Sequence, residues 1–191
     1  MNLSPKNIFI TGIPTSGKSY LAKKLSEKIG AKVVHLDDLR ESLSTNETYK
    51  KWTNFYLDQD EETYLMKTTP EQKWQDLVNQ SEGLWPAFKE EIAKYRNETQ
   101  PVIFECVNLL PHIIEIKSED IVVVLIGKSF EETFKRNKQD PRWGESEKLQ
   151  ELEVEDFFSV ERPKYKSEAE KYGYPVFESA DEAFDYLVKN I

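Results

Sequence analysis

The chain carries the sequence IFITGIPTSGKS at residues 8–19. An apolar run at residues 7–11 predicts a buried strand, residues 12–17 form a turn-rich loop, and a helix is expected from Lys18 onward. Between a strand and a helix, the pattern GxxxxGK[ST] is typical of a loop whose backbone N–H groups surround a phosphate. Glycine permits the backbone angles that such a loop needs, and the helix dipole adds positive charge at the same point. The predicted phosphate-binding residues are Gly12, Ile13, Pro14, Thr15, Ser16, Gly17, Lys18, Ser19 and Tyr20.

Two side chains of this loop are expected to act on the bound nucleotide. Lys18 would reach the β- and γ-phosphates as a mobile cation, and the Ser19 hydroxyl would complete the oxygen shell of a Mg²⁺ ion. The alternative is a chance glycine loop, but the strand, the eight motif positions and the helix all agree. We therefore predict ATP and Mg²⁺ as the cofactors.

Composition limits the class of protein. The 191 residues suit one domain, residues 1–191, and the formal net charge of −9 with a pI near 4.9 argues against a nucleic-acid or anionic-membrane binder. The single cysteine, Cys106, excludes an internal disulfide framework and fits a reducing compartment. Without a signal-peptide pattern or a membrane-length apolar run, we expect a cytoplasmic protein. We expect it to be a monomer or a homodimer.

Four more apolar runs, at residues 31–36, 102–111, 121–126 and 175–179, predict further strands. Helical patterns separate them, as in a parallel α/β sheet of five strands with helices on both faces. Residues 44–100 hold no strand signal, so we expect a helical insertion between the second and third strands that binds the acceptor. A helix start is predicted at Thr69-Pro70, with Gly83 and Pro86 as points where the long helix would kink or split.

A phosphate loop does not say what receives the phosphoryl group, so the other strand ends carry that information. Asp37 and Asp38 follow the second strand. A carboxylate there would accept the proton of an acceptor hydroxyl, with Asp37 favoured, while Arg40 one turn on would bind the acceptor. The alternative is that one Asp only caps the helix.

The third strand ends in Glu105 and continues to Asn108, both predicted to face the acceptor. Glu105 would hold Mg²⁺ together with Ser19 or orient the acceptor; a solvated glutamate is the competing interpretation. Cys106 is expected to be a small packed residue and His35 a structural one.

After the fourth strand and a helix at residues 130–137, residues 138–144 are polar and broken by Pro and Gly, which predicts an exposed loop within a lid at residues 136–146. Its arginines, Arg136 and Arg142, would stabilise charge on the transferred phosphoryl group while the loop closes as a lid. The alternative is a solvated basic turn on an acidic protein.

These motifs, GIPTSGKS, DDLR, VIFECVNLLP and FKRNKQDPR, resemble those of small P-loop kinases related to nucleoside monophosphate kinases. DDLR and KRN are most similar to the polynucleotide 5′-hydroxyl kinase and zeta-toxin-like branch. The third strand also resembles that of sugar-acid phosphotransferases in which EGV is usual, with Cys106 at the glycine position. The resemblance implies Lys18 and Ser19 at ATP-Mg²⁺, Asp37 as base, Arg40 at the acceptor, and Arg136 or Arg142 as the lid arginine.

The leading hypothesis is a kinase that transfers the γ-phosphoryl group of ATP to a hydroxyl or phosphate of a small-molecule acceptor. The second hypothesis is a polynucleotide 5′-hydroxyl kinase. Such an enzyme would need a basic channel for the nucleic-acid strand, which the acidic composition disfavours. A nucleotide switch or NTPase without an acceptor is a third. The Asp37 and Arg40 pair favours the kinase.

Overall fold

Five parallel strands form one sheet in the computed structural model, which describes residues 7–141, 143–144 and 146–191. Because all five strands are parallel, every connection crosses from one end of the sheet to the other, through helices except between β3 and β4, where the described chain has none. The strands are β1 Asn7–Gly12, β2 Lys32–His35, β3 Val102–Glu105, β4 Ile121–Leu125 and β5 Val176–Phe177. The predicted five-stranded parallel sheet is confirmed.

The strand order is β2-β3-β1-β4-β5, with the strand that precedes the phosphate loop at the centre. In the register of the sheet, Ile10 of β1 pairs with Glu105 of β3, and His35 of β2 pairs with the same glutamate. On the other side, Gly12 pairs with Leu125 at the end of β4. The carboxyl ends of β1, β2 and β3 therefore meet at one edge, beside the phosphate loop.

Helices surround this sheet. Their bounds are α1 Lys18–Ile29, α2 Leu36–Ser42, α3 Lys50–Thr53, α4 Glu61–Lys67, α5 Pro70–Lys94, α6 Phe130–Gln139, α7 Glu147–Asp156, α8 Arg162–Tyr172 and α9 Ala180–Asn190, with a π-helical turn Phe157–Glu161 between α7 and α8. Alternate residues of β1 face opposite sides, as the period of a strand requires. Helices cover both faces of the sheet, as predicted, and bury these side chains.

On one face, Ile8 and Ile10 pack with Leu21 and Leu25 of α1 and with Leu187 of α9. On the other face, aromatic and aliphatic side chains from the sheet, α5, the π-helical turn and α8 form a larger core. Its members include Phe9, Phe104, Leu84, Phe88, Phe157 and Tyr165. The two cores hold the central strands rigidly, and the phosphate loop extends from that rigid support.

The region between β2 and β3 contains α2 to α5 and, within the described residues, no strand. Thr69 caps α5 by accepting a hydrogen bond from Gln72 N at 3.2 Å, with Pro70 at the first helical position, as predicted. α5 continues through Gly83 and Pro86 as one helix of 25 residues, so the expected split does not occur. No helix in the described part of the chain combines the length and apolarity needed to cross a bilayer.

Candidate active site

The phosphate loop has a backbone that only glycine allows at its two ends. Gly12 has a φ of 128°, and a Cβ built there would lie 1.8 Å from the carbonyl oxygen of Leu125. Gly17, with a φ of 98°, is the N-cap of α1 and provides no side-chain cap. The first N–H groups of α1 are therefore left for another acceptor, which is the arrangement that binds an anion.

Lys18 closes over this loop. Its side chain is almost fully buried, and Nζ donates to the carbonyl oxygens of Gly12 at 3.2 Å and Ile13 at 2.8 Å. Ser16 Oγ also donates to Ile13, at 2.7 Å. These hydrogen bonds hold the lysine ammonium at the mouth of the loop, where a bound polyphosphate would lie.

Glu105 joins the end of β3 to the start of α1. It is 3% exposed, and its Oε1 accepts a hydrogen bond from Ser19 Oγ at 3.2 Å and lies 2.5 Å from His35 Nδ1. A serine hydroxyl and a carboxylate side by side below the phosphate loop are the hard oxygen donors that Mg²⁺ prefers. The residues present therefore fit a magnesium ion at this position.

His35 was expected to be structural, and its contact with Glu105 is the first feature that the sequence did not predict. The two residues are adjacent only because β2 pairs with β3 in register. They lie 70 positions apart in the chain, and no local pattern connects them.

Asp37 and Arg40 lie in α2, because β2 ends at His35 and the helix begins at Leu36. Asp37 does not cap α2, since the N-cap is His35 and makes no side-chain hydrogen bond. Asp37 Oδ1 lies 2.8 Å from Arg40 Nη1, an ion pair. Asp38, on the same turn, is exposed.

Arg40 is anchored by Asn108. Arg40 Nη1 donates to Asn108 Oδ1 at 2.8 Å, and the fully buried Asn108 donates through Nδ2 to Gln80 Oε1 at 2.8 Å and Ser81 Oγ at 3.0 Å. Gln80 in turn donates to the carbonyl oxygen of Trp52 at 2.8 Å. Gln80 was not predicted. The signal that could have identified it is a polar residue on the apolar face of α5, beside Leu77 and Leu84.

Cys106 lies where glycine is usual in the third strand that this chain resembles. The residue is fully buried, and its sulfur accepts the backbone N–H of Asn108 at 3.3 Å. Burial raises the pKa of the Cys106 thiol well above its usual range, so the thiolate is disfavoured. The residue packs and orients Asn108, consistent with the prediction of a small packed residue.

Two cavities flank the phosphate loop. The first, of about 450 Å³, extends from the loop toward the helices between β2 and β3; its walls include Pro14, Arg40, Gln80, Tyr56, Trp143 and Phe157. The second, of about 590 Å³, lies on the opposite side of the loop; its walls include Gly17, Tyr20, Lys128, Arg136, Ser179 and Asp181. The phosphate loop therefore separates two pockets of ligand size.

Arg136 of α6 belongs to the second cavity. Its Nη1 donates to the carbonyl oxygen of Thr15 at 3.4 Å, and its Nη2 forms an ion pair with Glu132 at 2.6 Å. The guanidinium therefore lies against the phosphate loop, and it is carried by helix α6, which continues to Gln139. Arg142, the other predicted lid arginine, lies outside the described residues.

The loop after α6 contacts the helices between β2 and β3. The ring of Trp143 lies 5.9 Å from that of Tyr56 and from that of Tyr64, and Gly144 N donates to Glu61 Oε1 at 3.1 Å. A Cβ at Gly144 would overlap the Glu61 carboxylate, at 2.1 Å from Oε2. Trp143 thereby joins α4 and its preceding turn to the wall of the first cavity.

Comparison with known proteins supports the fold. No family model and no curated protein sequence matches this chain. Among solved structures, shikimate kinase from Acinetobacter baumannii in complex with shikimate is 14% identical with a TM-score of 0.57, covering 97% of this chain and 94% of that one. Deoxyadenosine kinase from M. mycoides with bound dATP is 18% identical with a TM-score of 0.54, covering 97% of both chains. TT1252 from Thermus thermophilus is also 18% identical, with a TM-score of 0.54 over 99% of both chains.

At these identities the similarity defines the architecture. The chain has the fold of the small P-loop kinases, in which a parallel sheet supports a phosphate loop.

Proposed function

We propose that the protein is an ATP-dependent phosphotransferase that moves the γ-phosphoryl group of ATP to a small-molecule acceptor. One observation carries the proposal: the phosphate loop lies between two cavities of ligand size, and Arg40, paired with the Asp37 carboxylate, lines the first of them. A hydrolase or a switch needs a nucleotide pocket, whereas a kinase needs a second pocket for the acceptor.

The donor side is formed by the phosphate loop and the second cavity. The N–H groups at the start of α1, Lys18 and Arg136 would hold the phosphates, with the nucleoside in the cavity beside Tyr20. Ser19 and Glu105 would hold Mg²⁺, which when bound neutralises charge on the β- and γ-phosphates. His35 keeps the Glu105 carboxylate turned toward Ser19.

The acceptor side is formed by the first cavity. Asp37 would take the proton of an acceptor hydroxyl, whose oxygen then attacks the γ-phosphorus. The bond from the γ-phosphorus to the β–γ bridging oxygen breaks, and ADP leaves with that electron pair. Arg40, held by Asn108 and Asp37, would orient the acceptor.

The donor assignment is tested with labelled ATP and a panel of nucleosides, nucleotides, sugar acids and 5′-hydroxyl oligonucleotides. Lys18→Ala should abolish transfer to whichever compound the wild-type protein phosphorylates, because the cation at the γ-phosphate is lost. Full activity in that variant would overturn the donor site. ATP hydrolysis without transfer across the whole panel would instead favour the switch or NTPase reading.

The base is tested by a matched pair of variants. Asp37→Asn should lower kcat by about 10²- to 10⁴-fold, with the KM for ATP changed little, because the amide cannot accept the proton but fills the same volume. Asp38→Asn alters the exposed carboxylate on the same turn and measures the effect of charge alone. Equal losses in both variants would contradict a specific role for Asp37.

A further inference from the structure

The first cavity also indicates which kind of acceptor it takes. We propose that the acceptor is an uncharged alcohol carrying a flat aromatic or heteroaromatic ring, and not a phosphate ester. This inference rests on the proposed phosphotransferase function and narrows its acceptor, which the sequence left open between a hydroxyl and a phosphate.

Asp37 carries the first part of the inference. Asp37 adjoins Arg40 of the cavity wall without lining the cavity itself. Its Oδ1 is buried and accepts no hydrogen bond from a described residue, since Arg40 Nη1 lies 2.8 Å away but directs its N–H to Asn108. A buried carboxylate oxygen with an unused lone pair is suited to a hydroxyl donor. A phosphate ester, mostly a dianion at neutral pH, offers little to donate and would be repelled by this oxygen.

Arg40 carries the second part. It is the only cation among the described residues that line the cavity, and its side chain is 16% exposed. Its charge is matched by Asp37, and Nη1 is engaged by Asn108. Glu41, Glu153 and Glu161 add three carboxylates at the wall. Tight binding of a phosphate ester uses an uncommitted guanidinium fork or several cations, and the described wall provides neither.

The far wall carries the third part. It is rich in rings and aliphatic side chains, with Glu153 and Glu161 among them: Tyr56, Trp143, Phe157, Leu57, Leu77 and Val107. Tyr56 and Trp143 pack edge to face, with an angle of 71° between their planes, and Tyr56 meets Tyr64 at 85°. Contacts of this geometry hold each ring in a fixed orientation, which favours a flat, apolar ligand over a flexible polar one.

The polar and apolar ends of the cavity fit one molecule. A volume of about 450 Å³ is in the range that holds a single small ligand. With the ring against Tyr56 and Trp143, the hydroxyl of such a molecule would point to the end formed by Pro14 and Arg40. There its proton passes to Asp37, its oxygen bonds to the γ-phosphorus, and ADP leaves with the electrons of the broken P–O bond.

The test measures binding without ATP, so that it does not depend on turnover. Calorimetry would compare three aromatic alcohols (thymidine, cytidine and 2-phenylethanol), their phosphate monoesters, and alcohols that lack an aromatic ring, called ring-free below (2-deoxyribose, ribose and 1,2-butanediol). At least one aromatic alcohol should bind tenfold or more tightly than both its monoester and its ring-free counterpart. Tighter binding of the monoesters or of the ring-free alcohols, or no binding of any aromatic alcohol at 10 mM, would overturn the inference.

Variants locate the effect in this cavity. Trp143→Leu and Tyr56→Leu should each weaken the aromatic alcohol at least tenfold and change the Kd of ATP by less than twofold. Tyr172→Leu, which alters an exposed ring outside the cavity, is the control and should change neither. Unchanged alcohol binding in both cavity variants, with melting curves showing that they are folded, would contradict the aromatic wall.

A third variant tests the charge argument. Asp37→Asn releases Arg40 from its ion pair, so it should raise the affinity for the monoester and reduce the preference for the alcohol at least threefold. An unchanged preference would contradict the argument. The two proposals fail separately: transfer of phosphate to a monoester would keep the kinase and overturn the acceptor class, whereas binding of aromatic alcohols without any transfer would keep the class and overturn the kinase.

Discussion

Thr15 gives the phosphate loop a backbone that β-branched residues seldom adopt. Its φ is 54°, and the other positive φ angles among the described residues belong to glycines. Its hydroxyl donates to the Pro14 carbonyl oxygen at 2.8 Å, and its own carbonyl oxygen accepts from Arg136 at 3.4 Å. Strain of this kind costs about 1–3 kcal/mol and persists where the surrounding structure fixes it. In this loop the strained backbone turns the carbonyl oxygen of Thr15 toward Arg136.

Replacing this residue should therefore stabilise the protein. Thr15→Gly removes the strain but adds up to about 1 kcal/mol of chain entropy to the unfolded state, so we expect a net gain of about 1 kcal/mol and a rise in Tm of roughly 2–4 °C. The Tm of Thr15→Asn should lie between those of the wild type and Thr15→Gly, since Asn adopts a positive φ more readily than Thr. Calorimetry measures Tm; a lower Tm for Thr15→Gly than for wild type would show that the loop is unstrained.

At the scale of elements, α5 is shaped by its contact with α3. Gly83 lies in the middle of α5, where glycine weakens a helix by about 1 kcal/mol relative to alanine. A Cβ at this position would lie 2.3 Å from Cε2 and Nε1 of Trp52. The glycine therefore allows the indole of α3 to pack against the helix backbone, which places the Trp52 carbonyl within reach of Gln80.

A double-mutant cycle tests this packing. Gly83→Ala alone should destabilise the protein by roughly 1 kcal/mol, because overlap with the indole, about 1–3 kcal/mol, exceeds the gain in helix propensity. In a Trp52→Ala background the same change should stabilise it by about 0.5–1 kcal/mol. Urea unfolding measures both. If Gly83→Ala had the same sign and size in the two backgrounds, the contact would not explain the glycine.

At the scale of the whole molecule, His112 links three parts of the chain. It follows β3, its Nδ1 lies 2.9 Å from Glu168 of α8, and its Nε2 lies 3.3 Å from Glu82 of α5. The hydrogen bond to Glu168 is the largest influence and raises the pKa of His112 above its usual 6.5, against a smaller effect of burial. When it is protonated, the His112 imidazole pairs with both glutamates and so holds α5 and α8 against the loop between β3 and β4.

Stability should therefore depend on pH through this residue. Because the pKa of His112 is higher in the folded state, its contribution is fully present below pH 6.5 and is lost as the pH rises through the raised value. The free energy of unfolding of the wild type minus that of His112→Gln should decrease from pH 6 to pH 8 in urea titrations. A difference that grew with pH, or stayed constant, would contradict the ion pairs.

Much of this molecule can be predicted from short stretches of sequence. The phosphate loop, the five strands and the helix cap at Thr69 each depend on residues within about ten positions of one another. The interactions that form them are equally local, so the pattern contains the physical cause. Asp37 and Arg40 were found for the same reason, because one helical turn separates them.

The site as a whole depends on contacts that no local pattern encodes. Glu105 meets Ser19 and His35 across 86 and 70 positions, and Asn108 meets Gln80 across 28. These contacts follow from the order β2-β3-β1-β4-β5 and from the packing of α5 on the sheet. The sequence by itself determined a nucleotide loop on a parallel sheet. Only the tertiary structure decided that β3 lies between β1 and β2, and that order brings the carboxylates, the arginine and the aromatic wall to the same loop.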